Sequence, residues 1–370
     1  VILIGTKTSS WDALLAKDCE KTEQISDVWL QLVEECESKQ GCGVTDESLS
    51  ILSGILEDQY GIDFLLFAHE PTIENTTLKN VYPFYQDLAK EVAQGNSVLL
   101  DITHGFRSMP MFLYQSLRFS AITDIAPRSV SIVYGEFLPE KDVSIVRDLS
   151  NFWEFSEATE SFELFKATFT TDRLAPMVAT FWPEGAGWMR GFSNLVKSNY
   201  VLQTKQSIAQ LNNALALVKP NNCPIWGEEV IGYCRSISNE FSKCRFISEY
   251  ILVLSKLLEK NNLLTQTIIA LQISVETRVI ESRYDIKKIG DYNYWNENGG
   301  PKECKKDFQL NNNQRILFEL EADRNKIAHG GGMDATTTPA RENAVISKEK
   351  LAKYRAGVAA LFKAFPVGVE

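Results

Sequence analysis

Two short stretches hold most of the groups able to do chemistry in this 370-residue chain. The first, "DITHGFRSMP" at 101–110, offers a carboxylate, two hydroxyls, His104, Gly105 and Arg107 within ten residues. A guanidinium fork, hydroxyl donors and a glycine that lets the backbone approach closely are the parts of a phosphate-holding loop. The second, "EADRNKIAHGGG" at 321–332, places Arg324 and Asn325 ahead of His329. An arginine and a histidine at a phosphate can stabilise developing charge and move a proton. The chain has three histidines, and these two stretches hold His104 and His329. The third, His69 in "FAHEP", also follows an apolar run and could line a rim, although a structural role suits it better.

Positioning the first stretch requires a strand before it and a helix after it. "VLLDIT" (98–103) is a short apolar, β-branched run, and "SMPMFLYQSLRFSAI" (108–122) is helical in pattern, with Ser108 as an N-cap and Pro110 in the first turn. Similar apolar runs occur at "VILIG" (1–5), "IDFLLF" (62–67) and "SVSIVYG" (129–135). Amphipathic segments lie between them, among them 46–60 and 81–94. This βαβ order predicts an α/β, Rossmann-like N-terminal domain with a parallel sheet. In such a sheet ligands bind beyond the carboxyl ends of the strands, where the next helix presents free N–H groups. "GTKTSS" (5–10), after the first strand, is expected on the same rim. Asp, Thr and Gly at strand ends are also ordinary turn chemistry. A nicotinamide-type dinucleotide site is disfavoured, because the first turn has no GxGxxG.

After residue 148 strand patterns fade and helices predominate, at 148–169, 188–218, 246–259, 263–283, 311–329 and 347–364. The order predicts an α/β domain over 1–150, a helical connecting region over 151–235 and an all-α domain over 236–370. "KPNNCP" (219–224) reads as a turn between helical parts.

Composition narrows the function classes. The chain is 44% apolar, 23% charged and carries a net charge of −10. That acidity disfavours broad binding along a phosphate backbone, so stable DNA binding is not expected and any nucleic acid must meet a locally basic site. Lys302, Lys305, Lys306, Arg315 and Lys326 make the second stretch such a place. The seven cysteines form no CxxC pair, which supports neither a zinc site nor a disulfide framework; reduced thiols in a cytoplasm are expected. No apolar stretch approaches the roughly 18 residues of a membrane span, and "VILIG" is too short for a signal-peptide core.

"DITHGFRSMP" resembles the DxTHG signature of CRISPR-associated accessory proteins of type III systems, with support from "ILIGT" at the start and "VYGEF" at 133–137. These carry an N-terminal CRISPR-associated Rossmann fold (CARF). The resemblance implies a pocket for a cyclic oligoadenylate messenger, with Thr6, Thr8, Thr103, His104, Gly105 and Arg107 as contacts. "RNKIAH" is similar to the Arg–x4–6–His signature of HEPN ribonuclease domains, which commonly follow a CARF domain.

Together the two resemblances imply an endoribonuclease that cleaves single-stranded RNA in antiviral defence. Cyclic oligoadenylate would be its allosteric activator, and it needs no cofactor. Five residues along a helix is ~500°, which leaves Arg324 and His329 about 140° apart, so a compact site needs two copies of the helix and therefore a homodimer. Arg324 is expected to stabilise phosphoryl charge, His329 to transfer a proton and Asn325 to orient a helix partner or the scissile phosphate. No metal-ligand set is obvious nearby, so the RNA 2′-hydroxyl is the expected nucleophile, giving 2′,3′-cyclic phosphate and 5′-hydroxyl ends. Three alternatives stand beside this: a ligand-sensing transcription regulator, a phosphodiesterase that degrades the messenger in the CARF pocket, and a purely structural Arg324 paired with a carboxylate such as Glu321.

Overall fold

Thr45 opens the first well-marked helix: its hydroxyl accepts the Ser48 N–H at 3.1 Å, and Gly61, at φ 67°, closes the same helix in the left-handed conformation. Cap and stop bracket Asp46–Tyr60, the span that its apolar spacing predicts. The structure is a computed structural model that describes residues 1–37, 43–69, 78–93, 96–103, 108–122, 127–141, 143–219, 223–282, 314–328 and 348–367. They fall into two compact units, Val1–Trp153 and Glu154–Glu370.

The first unit contains β1 (Ile2–Thr6), α1 (Glu23–Glu37), α2 (Asp46–Tyr60), β2 (Leu65–His69), α3 (Leu78–Ala93), β3 (Ser97–Asp101), α4 (Ser108–Ile122), β4 (Ser129–Leu138) and β5 (Val143–Asp148). β1 and β2 pair in parallel, with Thr6 opposite His69. β3 and β4 also pair in parallel, with Asp101 opposite Val133. The expected parallel pairing is thus present in β1-β2 and β3-β4, and two features add to it. Among the described residues the strands form two hydrogen-bonded sheets, β1-β2 and β3-β4-β5. β5 runs antiparallel to β4, with Val133 opposite Asp148. The reason lies in the connection: only four residues separate Leu138 from Val143, enough for a hairpin but not for the crossover that a parallel neighbour needs. Two apolar clusters support these sheets, one around Trp11, Leu32, Leu52 and Phe64, the other around Leu100, Leu117, Val130 and Ile132.

The second unit is helical throughout its described residues: α5 (Asn151–Thr168, whose first turn belongs to the first unit), α6 (Leu174–Ala179), α7 (Pro183–Lys197), α8 (Thr204–Ala216), α9 (Ile225–Glu240), α10 (Ile247–Lys260), α11 (Leu264–Glu281), α12 (Gln314–Ala328) and α13 (Lys348–Ala364). The division between units lies at 153/154 rather than 150/151. The expected division at 235/236 falls inside α9, where Cys234 and Ile237 share one core with residues from Ala158 to Ala270. A helix whose consecutive turns feed one core offers no linker there.

α11 is buried around nearly its whole circumference. Ala270 belongs to the first core of this unit, while Ile268 and Leu271 belong to a second one with Leu320, Leu351, Tyr354 and Val358. Its last residue, Glu281, is 3% exposed and accepts the Ile247 N–H at 2.6 Å and the Ser248 hydroxyl at 2.5 Å. That carboxylate caps the start of α10 from another helix. Burial raises its pKa, against the lowering effect of the bonds from Ser248 and Ile247.

α12 and α13 approach closely at Gly357, where a Cβ would lie 2.1 Å from Ile316 Cδ1. Gly357→Leu is therefore expected to separate the two helices and lower stability by about 2–3 kcal/mol, seen as a reduced Tm in thermal unfolding. An unchanged Tm would refute the close-packing account.

Candidate functional site

The turn after β1 is held by its own side chains. Thr6 is 2% exposed, its hydroxyl lying 3.0 Å from Ser9 Oγ and 3.3 Å from Thr8 Oγ1. Its carbonyl accepts from Trp11 Nε1 at 2.8 Å and from the Ser9 N–H at 3.0 Å. Thr8 is exposed. Of the two threonines expected on this rim, Thr6 is thus placed as a brace of the turn, and Thr8 is the one that faces solvent. Lys7 is fixed through its backbone, donating to His69 O at 2.9 Å and accepting from the Val44 N–H at 2.8 Å. The chain can pass this close only because Gly43, at φ +76°, has no Cβ; one built there would sit 2.5 Å from Lys7 O.

His69, at the end of β2, lies with Nε2 3.2 Å from Tyr85 Oη on α3. Tyr85 is 1% exposed, and burial pushes its hydroxyl up to about 12, so it stays protonated at neutral pH. Its ring stacks on Phe112 of α4 at 5.9 Å. His69 is therefore packed and hydrogen-bonded at the rim, in keeping with a structural role.

At the exit of β3, Asp101 Oδ1 accepts the Thr103 N–H at 2.8 Å and also the Thr103 hydroxyl. Thr103 Oγ1 in turn accepts the Gly135 N–H of β4 at 2.6 Å. A Cβ at Gly135 would lie 2.8 Å from Thr103 Cγ2, so glycine is what admits the threonine. Asp101, Thr103 and Gly135 thus form a clamp that sets the direction in which the chain leaves the sheet. His104, Gly105 and Arg107 lie outside the described residues. α4 then begins at Ser108, and its middle is fastened to the end of the first unit. Arg118, 4% exposed, sits 4.5 Å over the Trp153 ring, and Tyr114 Oη donates to Phe152 O at 3.2 Å.

In the helical unit, α12 carries the second constellation. Arg324 donates through Nε at 3.2 Å and Nη2 at 2.8 Å to Asn325 Oδ1, so the neighbouring amide orients the guanidinium. Asp323, 7% exposed, accepts from Tyr354 Oη at 2.6 Å and pairs with Lys350 Nζ at 2.5 Å, both on α13. Desolvation and the Asp323 carboxylate together raise the Tyr354 pKa. His329, Lys302, Lys305 and Lys306 lie outside the described residues, as do the side chains of Arg315 and Lys326. Sequence reading does not find the Asp323–Tyr354–Lys350 group, because its members are separated by about thirty residues and only the packing of α12 on α13 unites them.

Among the described residues no group of three or more His, Cys, Asp and Glu is arranged to hold a metal ion. The described cysteines, Cys19, Cys36, Cys223, Cys234 and Cys244, are unbridged. No described helix is long and apolar enough to cross a membrane.

Comparison with known proteins matches residues 1–136 to the family model described as "CRISPR system endoribonuclease Csx1, CARF domain". The chain is also similar to the CRISPR-associated protein MJ1674 of Methanocaldococcus jannaschii, at 22% identity over 238 residues. That alignment covers 58% of this chain and 36% of the relative, so the chain spans little more than a third of that protein's length. The family match covers both the turn after β1 and the Asp101–Thr103–Gly135 clamp.

Proposed function

We propose that this chain, whose residues 1–136 match a CARF-domain family model and which is similar to a CRISPR-associated protein, is an endoribonuclease switched on by cyclic oligoadenylate. The first unit binds the messenger at the rim formed by Thr8, the Asp101–Thr103 clamp and the His104–Arg107 segment. The helical unit is a HEPN domain that cleaves single-stranded RNA. The observation that carries this reading is the Arg324 guanidinium oriented by Asn325 on a helix of a unit that is helical throughout its described residues and follows a segment matching the CARF-domain model.

The chemistry is in-line transesterification without a metal. The RNA 2′-oxygen attacks the adjacent phosphorus and gives up its proton to a base, the 2′-O–P bond forms, and the 5′-O–P bond breaks. A proton is delivered to the departing 5′-oxygen, leaving a 2′,3′-cyclic phosphate and a 5′-hydroxyl. Arg324 stabilises the charge on the phosphoryl oxygens and His329 handles the proton. Two copies of α12 in a homodimer supply the pair from both sides. Activation requires that the messenger bind the cleaving dimer more tightly than the resting one, since equal affinity shifts nothing.

The test is an RNase assay with a panel of cyclic oligoadenylates in the presence of EDTA. The expected result is cleavage with one ring size, undiminished by the chelator, with products that carry 2′,3′-cyclic phosphate ends. Intact RNA with every messenger overturns the reading.

A further inference from the structure

Arg324 can serve a two-copy site only if α12 holds one rotational setting about its axis. At the about 5–6 Å radius of side-chain tips, a 20° turn of a helix moves them by about 2 Å. Misplacement by 1 Å can reduce a rate by about 100-fold. Something must therefore fix the turn of α12, and Asn325 cannot, because it lies on the same helix as Arg324.

We infer that Asp323 is a positioning residue for Arg324, locking the rotation of α12 through Tyr354 and Lys350 of α13. The inference rests on the reading of α12 as the cleaving helix. Asp323 directly precedes Arg324, about 100° around the helix, so a side chain held against α13 sets where the next one projects. Tyr354 Oη and Lys350 Nζ reach the same Asp323 oxygen at 2.6 and 2.5 Å. They stand four residues apart on α13 and therefore share one face of it. Tyr354 is fully buried and Asp323 is 7% exposed. Rotating α12 would draw a buried carboxylate away from both donors, which is strongly disfavoured. The Gly357–Ile316 approach brings the two helices near enough for these short side-chain bonds. One turn earlier, Glu319 meets Lys353 at 2.8 Å in a more exposed pair, which adds little to the lock.

Asp323→Asn and Tyr354→Phe test this, each compared with wild type. Asparagine keeps an acceptor for the phenol but loses the charge opposite Lys350. The expected result is a 10- to 100-fold fall in kcat for activated RNA cleavage, with KM for RNA and affinity for the cyclic oligoadenylate unchanged. In an Arg324→Ala background, adding Asp323→Asn should lower the residual rate no further, whereas simple destabilisation would add to it. Arginine side-chain NMR supplies a readout that does not depend on cleavage. The Arg324 Nε–H resonance, whose surroundings change when α12 turns, should shift in Asp323→Asn although its bond to Asn325, on the same helix, persists. Unchanged kcat in both variants, or an unchanged Arg324 resonance, overturns the positioning role. A wild-type protein that cleaves no RNA overturns the proposed function, while the NMR comparison still decides the role of Asp323.

Discussion

Arg324→Ala is expected to reduce messenger-activated RNA cleavage by about 100- to 1000-fold, the range seen when one preorganised donor to a reacting oxyanion is removed. Affinity for the cyclic oligoadenylate should not change, because Arg324 belongs to the helical unit and the proposed messenger site to the other. Arg324→Lys separates charge from geometry. Lysine keeps the cation, but its ammonium cannot reproduce the planar fork that donates to Asn325 through Nε and Nη2. It should recover only a small part of the lost rate. Single-turnover cleavage, measured alongside calorimetric titration of the messenger, checks both statements. His329→Ala should show the same pattern, and cleavage that survives in both alanine variants removes α12 from the chemistry.

The second large effect is expected at the clamp. Thr103→Val removes the hydroxyl that donates to Asp101 and accepts from Gly135, while nearly preserving shape. The Gly135 N–H loses its acceptor, and the chain leaving β3 loses a bond that defines its path. At about 1–1.5 kcal/mol for each hydrogen bond, the messenger should bind about 10- to 100-fold more weakly, because Thr103 then no longer ties Asp101 to Gly135 at the proposed rim. Thr103→Ser retains both bonds and should bind within a few-fold of wild type. Equal affinities for the valine and serine variants would show that the clamp has no part in holding the ligand.

Where capping and turn chemistry are local, the residues alone give the structure: α2 begins and ends where Thr45 and Gly61 indicate. β2 shows how a local pattern is overridden. The apolar run 62–67 predicts a strand, yet the ladder covers Leu65–His69. Phe64 is instead engaged by α2, its N–H donating to Glu57 Oε1 at 3.1 Å and its carbonyl accepting from Ser53 Oγ at 2.6 Å. Ile62 is left 50% exposed at the turn. Thr6 was indistinguishable in sequence from Thr8 as a ligand contact, since only Trp11, folding back five residues, closes the turn over it. The all-exposed β5 has an apolar pattern too irregular to announce a strand, and it exists because β4 extends far enough to be paired. The DxTHG stretch is legible as a unit, but the partner that completes its clamp, Gly135, is thirty-two residues away. Asp323 gives no local sign of its contacts with α13 for the same reason.

One consequence concerns protein engineering. Since α11 lines two apolar cores at once and its final glutamate completes α10, the helical unit cannot be trimmed to a minimal catalytic fragment. A truncation starting at residue 236 would discard the aromatic half of the first core and expose the apolar residues that α9, α10 and α11 bury against it. Domain-swap chimaeras should therefore exchange this unit whole, with the joint at Leu149–Ser150 ahead of α5, so that the helix crossing the division is not cut.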